Sequence, residues 1–190
     1  MKSNWMFNLG SKLALILFYV IFIVTFFMVL EHVAHLWFPN SGLTRSLGPF
    51  QPIFGYSEII FNQNPELYSD SSFIALSFVS SMSMMVLVHM FLWYMHRLLR
   101  NVANNSLFMY ENVAILSRLG LFIIVMGFLF SYTGELLFTQ AVAELDITNG
   151  QLMVSSLSYI DFILGGLVLL IIASALKNAV HAVEENKNTI

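Results

Sequence analysis

The chain has 190 residues, of which 58% are hydrophobic and 10% are charged, and its mean hydropathy is +0.77. A soluble domain has about a quarter of its residues charged, so this composition excludes an ordinary soluble protein. The formal net charge is −3 and no basic run occurs, which gives no argument for direct nucleic-acid binding. Cysteine is absent, and this excludes disulfides, thiolate catalysis and cysteine-bound metals.

Four apolar windows are long enough to cross a bilayer, whose hydrocarbon core of about 30 Å requires about 20 helical residues. They cover approximately residues 13–30, 73–94, 119–138 and 160–176. A cleavable signal peptide is the competing interpretation of the first window, but its apolar core is too long and no small-residue cleavage site follows. We therefore predict an all-α fold, a four-transmembrane-helix bundle forming one domain over residues 1–190.

The connections between the windows differ in composition. The first, at about residues 35–72, contains all four prolines and is predicted to be a structured outer loop, either a cap over the bundle or a ligand-binding loop. Its apolar residues are expected to pack on the helix ends: Phe50, Ile53, Phe54, Tyr56 and Phe61. Before the third window, Ser106 is predicted to cap a cytoplasmic helical segment that begins at Leu107 and continues into the span.

The basic residues predict the orientation, because lysine and arginine near spans are retained in the cytoplasm. Only Arg45 falls on the side of the outer loop. The others share a side with both termini: Lys2, Lys12, Arg97, Arg100, Arg118, Lys177 and Lys187. We therefore expect both termini to be cytoplasmic.

Five ionisable residues are expected at the outer ends of the helices, where such side chains are candidate functional groups. They are Glu31, His32, His35, Glu135 and Asp161. Histidine and carboxylate groups can bind a divalent metal, so one interpretation is a metal site, although the order Glu-His-x-x-His is not that of a zinc protease. The other interpretations are a hydrogen-bonded polar rim and a proton- or ligand-linked site.

Small and polar residues within the spans are predicted to mediate helix packing. His89 is expected to bond to a serine or a backbone carbonyl, with a proton relay as the alternative. The serines of the second span are Ser77, Ser80, Ser81 and Ser83, and the small residues of the third and fourth spans are Gly120, Gly165, Gly166 and Ala173. No nucleotide-binding or hydrolase motif occurs, so no cofactor and no enzymatic activity are expected.

Two segments carry a family resemblance. Asn105–Gly120 resembles a phrase of the type small/Pro-Phe-x-x-Glu-Asn-Val-x-x-Leu-x-x-Ile-Gly, and Glu184–Ile190 resembles a Glu-rich tail ending in Thr-Val or Thr-Ile. Both are features of DUF2975, a family of bacterial multi-pass membrane proteins. Ser106 and Leu107 depart from the phrase, as does Leu119 where isoleucine is usual. The resemblance implies four spans in a bacterial inner membrane and, since some members are encoded beside small helix-turn-helix regulators, a regulatory role.

The sequence therefore favours a non-enzymatic regulatory or interaction protein in the bilayer, with a cytoplasmic regulatory protein or a second copy of the chain as its partners. The residues expected to dock the cytoplasmic partner are Phe108, Glu111, Asn112, Arg118, Glu184 and Glu185. The alternative is a small transporter, or a ligand, metal or pH sensor, that uses the outer acidic and histidine residues.

Overall fold

The computed structural model describes residues 2–54, 59–104, 106–145 and 158–188, except for the side chains of residues 2, 3, 158, 187 and 188. The helices are α1 (Lys2–Trp37), α2 (Gly42–Leu47), α3 (Ser71–Asn104), α4 (Tyr110–Ala143) and α5 (Ser158–Asn188), and a 3-10 helix at Glu66–Ser69 precedes α3. The expectations for Asn105, Tyr56, the Lys187 side chain and residues 189–190 lie outside the described residues.

The four longest helices, α1, α3, α4 and α5, are each long and apolar enough to span a membrane. The predicted all-α fold with four such helices is therefore confirmed. Their 31 to 36 residues correspond to roughly 45–55 Å at about 1.5 Å per residue, so each helix exceeds a hydrocarbon core of about 30 Å. The apolar windows marked only part of each helix, the central part in α1 and α4 and the part nearest the helix start in α3 and α5. We call the end of the helices that carries residues 38–70 the loop end, and the opposite end, with both termini, the terminal end.

The long helices pack in chain order, α1 on α3, α3 on α4 and α4 on α5, and α1 and α5 form no extensive interface among the described residues. The buried share of the most apolar window is 39% in α3, but it is only 11% in α1 and 17% in α5. The helices are therefore arranged as a layer with α3 and α4 inside and α1 and α5 at its edges. The edge helices leave most of their apolar surface for the bilayer.

Hydrogen bonds between serine and histidine residues join α1 to α3. Ser77, Ser80 and Ser83 are buried, as expected for small residues that let membrane helices approach closely. The Ser77 hydroxyl lies 3.4 Å from Nε2 of His32. At the terminal end, Ser11 bonds to both the ring and the backbone of His96. The predicted packing role of the serines is confirmed.

Glycine allows the closest approach between α4 and α5. A Cβ atom at Gly166 would lie 2.5 Å from the backbone oxygen of Gly120, and one at Gly127 would overlap the ring of Phe162. Ala173 is buried in the same interface. The predicted packing role is confirmed for Gly120, Gly166 and Ala173. It is wrong for Gly165, which is exposed, since a Cβ atom added there would have no neighbour within 4 Å.

The first connection covers the loop end of α3 and α4. Phe50 and Tyr68 are buried in a cluster with Phe73, Leu137 and Ala141. Phe54 and Phe61 also pack on this cluster, as predicted, whereas Ile53 is 59% exposed and the prediction for it is wrong. The described residues of the connection therefore form a cap over these helix ends.

Two polar side chains fix the ends of this cap. The Thr44 hydroxyl, on α2, lies 2.6 Å from the Phe38 carbonyl oxygen and 3.1 Å from that of Ala34, which ties α2 to the end of α1. Asp70 accepts hydrogen bonds from the backbone N–H groups of Ser72 and Phe73 and from the Ser72 hydroxyl. These bonds satisfy N–H groups that have no partner within the first turn of α3.

The predicted start of the third long helix is wrong. The helix begins at Tyr110 rather than Leu107, and its N-cap residue Met109 makes no side-chain capping bond. The Ser106 hydroxyl instead accepts a hydrogen bond from the Phe108 N–H at 3.0 Å. Serine makes such bonds in turns as readily as at helix starts, so the sequence pattern did not distinguish the two.

Candidate functional site

The five ionisable residues predicted at the outer helix ends do not form one site. Glu31, His32 and His35 are on α1, Glu135 is on α4 and Asp161 is on α5. Asp161 is exposed, and α5 lies at the opposite edge of the layer from α1. In the part of the chain that the structure describes, no three histidine, aspartate or glutamate side chains are placed to hold a metal ion.

His32 is a packing residue with both ring nitrogens bonded inside the protein. It is 3% exposed, and its Nδ1 donates to the Met28 carbonyl oxygen at 2.8 Å. Nε2 is then the acceptor for the Ser77 hydroxyl. The ring also contacts Phe50 edge-on, with 5.2 Å between centroids. Neither nitrogen is available to a ligand while these bonds are made.

His89 is bonded through one ring nitrogen, and its buried Nε2 has no hydrogen-bond partner among the described residues. Its Nδ1 donates to the Met85 carbonyl oxygen at 2.7 Å, which confirms the predicted backbone bond. Its ring contacts Phe18 and Phe22 of α1 edge-on. The histidine therefore contributes to the α1–α3 interface.

His35 lies beside a cavity at the loop end. The cavity has a volume of about 450 Å³ and is lined by side chains that include His35, Thr44, Arg45, Phe50 and Tyr68. Of these residues, only His35 was predicted as a candidate functional group, and Phe50 was predicted as an apolar packing residue. Arg45 was recognised only as the single basic residue on its side, and nothing in the local pattern placed it near Tyr68.

At the terminal end, Asn112 organises the turn between α3 and α4. Its side chain donates to the backbone oxygens of Ser106 and Leu107, at 3.0 and 2.9 Å, and accepts from Asn101 at 2.9 Å. Asn112 is 0% exposed. The structure thus places this predicted docking residue inside the turn, where it determines the shape of the neighbouring surface.

Glu111 forms an ion pair across the same turn. Its carboxylate lies 2.5 Å from Nη2 of Arg97, and both side chains are about two-fifths exposed. The sequence predicted a partner that was either Arg118 or a neighbouring basic residue, and Arg97 confirms the second alternative. Arg118 is exposed on α4.

Apolar side chains of the turn and acidic side chains of α5 form one surface at the terminal end. Leu107, Phe108 and Tyr110 are 43%, 47% and 44% exposed. Desolvation and the nearby carboxylates of Glu184 and Glu185 raise the pKa of Tyr110, so the two acidic side chains lie beside this tyrosine. We call these five residues the turn–tail surface. The two segments that carry the family resemblance are thus neighbours in space.

Residues 52–190 match the family described as a protein of unknown function, DUF2975. The chain belongs to the DUF2975 family. The match covers α3, α4, α5 and most of the cap, so the turn–tail surface of this DUF2975 protein is built entirely from matched residues. Neither the curated proteins nor the solved structures give a match.

Proposed function

We propose that this DUF2975 protein is a non-enzymatic regulatory protein of a bacterial inner membrane that docks a soluble cytoplasmic protein on its turn–tail surface. The observation that carries the proposal is the joint exposure of Leu107, Phe108 and Tyr110 beside the acidic end of α5. Exposed apolar side chains next to charged ones are typical of protein–protein contacts when they lie outside the hydrocarbon region.

The proposal places both termini in the cytoplasm after four membrane crossings. The described basic residues support this orientation, because Lys12, Arg97, Arg100 and Arg118 belong to the terminal half of their helices and Arg45 to the cap. The chain has no cysteine, so single introduced cysteines can be labelled without background. Asn104→Cys should react with a membrane-impermeant maleimide only after cell lysis, and Asn64→Cys should react in a preparation with the outer face exposed. The reverse pattern would contradict the orientation.

The chemistry of the surface defines the partner. Glu184 and Glu185 give it negative charge, and the apolar side chains of the turn lie directly beside them. Such a surface fits an amphipathic segment with basic residues next to an apolar stripe. The family resemblance to proteins associated with small helix-turn-helix regulators agrees with a soluble partner of this kind.

Two substitutions test the proposal through different interactions. Phe108→Ser removes apolar contact area, and Glu184→Lys reverses one charge. Trp37→Ser is the control, because Trp37 is 63% exposed but lies at the loop end. We expect one soluble protein to copurify in constant ratio with the wild type and the control, and to be lost from both surface variants while their thermal stability stays within a few degrees. The same set of copurifying proteins from all four preparations would contradict the proposal.

A further inference from the structure

The cavity at the loop end has features of a ligand site that are independent of the turn–tail surface. It lies between the end of α1, α2, the residues that follow α2, the 3-10 helix and the start of α3. Its volume of about 450 Å³ falls within the range of roughly 300–1,000 Å³ that is usual for small-molecule sites. It is therefore large enough for a small organic molecule.

Two of the side chains that line the cavity carry a buried polar atom without a hydrogen-bond partner. They are Nε2 of His35 and the hydroxyl of Tyr68, neither of which is bonded to any described residue of the chain. Tyr68 is only 4% exposed. An unpaired buried polar atom costs free energy unless a partner is supplied, so both residues gain from a ligand that hydrogen bonds to them. Burial also raises the pKa of Tyr68 above its ordinary value, which keeps its hydroxyl a donor.

The charge of the lining favours an anion. Arg45 contributes the only formal positive charge among the lysines and arginines of the cap, and it forms no ion pair with any described residue. Asn64 adds an amide group. Every described lining residue is basic, neutral polar or apolar, so no carboxylate among them competes for the arginine.

The apolar part of the lining favours a ligand that is not simply an inorganic ion. Phe50 and Ile74 contribute apolar surface, and both belong to the buried cluster under the cap. Small-molecule sites combine such walls with a few convergent polar groups. We propose that the cavity binds a small organic carboxylate, whose charge pairs with Arg45, whose oxygens take hydrogen bonds from Tyr68 and His35, and whose apolar group contacts Phe50 and Ile74.

The test uses the full chain in nanodiscs of phosphatidylcholine and titrates benzoate, phenylacetate and hexanoate by calorimetry, with benzyl alcohol as the neutral comparison. We expect saturable binding of at least one carboxylate and none of benzyl alcohol. Arg45→Gln should weaken binding about tenfold or more, because it removes a charge-assisted hydrogen bond. Arg100→Gln is the matched control, since Arg100 is exposed at the other end of α3 and should bind as the wild type does.

Tyr68→Phe separates a binding role from a structural one. The hydroxyl has no partner among the described residues, so its removal should leave the unliganded thermal stability equal or higher while weakening carboxylate binding several-fold. Equal binding of the carboxylate and benzyl alcohol, no carboxylate binding, or unchanged binding by Arg45→Gln would overturn the proposal. The proposal would also be overturned if phosphatidylglycerol in the nanodisc, and no carboxylate, raised the thermal stability of the wild type but not of Arg45→Gln. The bound anion would then be a lipid headgroup. None of these outcomes depends on a cytoplasmic partner.

Discussion

Gly165 and Gly166 are adjacent on α5 and should respond in opposite ways to substitution by alanine. A Cβ at Gly166 would overlap the Ile124 side chain and lie 2.5 Å from the backbone oxygen of Gly120, whereas one at Gly165 would meet nothing within 4 Å. The oxygen belongs to the α4 backbone and cannot rotate away as a side chain can. Gly166→Ala must therefore separate α4 from α5 by several tenths of an ångström.

The pair of variants isolates the steric cost. Replacing a helix-interior glycine by alanine favours the helix by up to about 1 kcal/mol, and this gain is shared by both positions. Overpacking of a well-packed interface costs roughly 1–3 kcal/mol. We therefore expect Gly165→Ala to be neutral or stabilising and Gly166→Ala to be less stable than Gly165→Ala by about 1–3 kcal/mol.

The free energy of unfolding can be measured by titrating the purified protein in mild detergent with a denaturing detergent and following helicity by circular dichroism. The difference between the two variants is the quantity of interest, because it cancels the propensity gain. Equal stabilities, or a less stable Gly165→Ala, would refute the close packing of α4 on α5 through Gly120 and Gly166.

Three further substitutions test local interactions. Asn112→Ala should lower the free energy of unfolding by roughly 2–4 kcal/mol, because it removes three partly buried hydrogen bonds of a buried side chain. The exposed Asn104→Ala should change it by less than about 0.5 kcal/mol in the same titration, and equal effects would contradict the role of Asn112. Hydrogen bonds from Ser72 and Phe73 hold the pKa of Asp70 below its ordinary value of 3.8. The stabilisation that the Asp70 side chain gives to the start of α3 is therefore present above pH 3.8 and is lost as the pH falls through the lowered pKa of the folded protein. Melting temperatures measured from about pH 6 to pH 3 should therefore fall less steeply for Asp70→Ala than for the wild type. Parallel curves for the two proteins would argue against capping of α3 by Asp70. Glu111→Gln should lower the free energy of unfolding by at most about 1 kcal/mol, since the ion pair with Arg97 is exposed. A larger loss in a urea or detergent titration would show that the ion pair stabilises the protein more than an exposed pair does.

The sequence was sufficient to predict the helices and their packing residues because the bilayer imposes simple constraints. A span needs an uninterrupted apolar window, and the prolines all lie in the cap, so the four windows mark four helices. Small residues such as Ser77 and Gly166 favour close helix packing when they occur in such a window. Gly165 shows the limit of this rule, because only the rotation of α5 decides which of two adjacent glycines contacts α4.

The candidate sites were harder to predict because sequence position gives the depth of a residue along a helix but not its direction. Glu31 and Asp161 were expected at the same depth, yet their helices are at opposite edges of the layer. The cavity depends on the path of the cap, which brings Arg45 and Tyr68 together across more than twenty residues of chain. The turn–tail surface belongs to two recognisable segments and includes three of the predicted docking residues, Phe108, Glu184 and Glu185. Leu107 and Tyr110 were not predicted as docking residues, and burial removes Asn112 from the surface.

The central claim is that the turn–tail surface docks a soluble protein, and photo-crosslinking in intact cells tests it most directly. A crosslinking amino acid would replace Phe108 in one strain and Leu121, which is 57% exposed within the apolar part of α4, in another. The account predicts a conjugate with one soluble protein from position 108 only, and its loss when Glu184→Lys is added. Crosslinks to lipid alone from both positions would contradict the account, because Phe108 would then lie in the membrane surface with no partner.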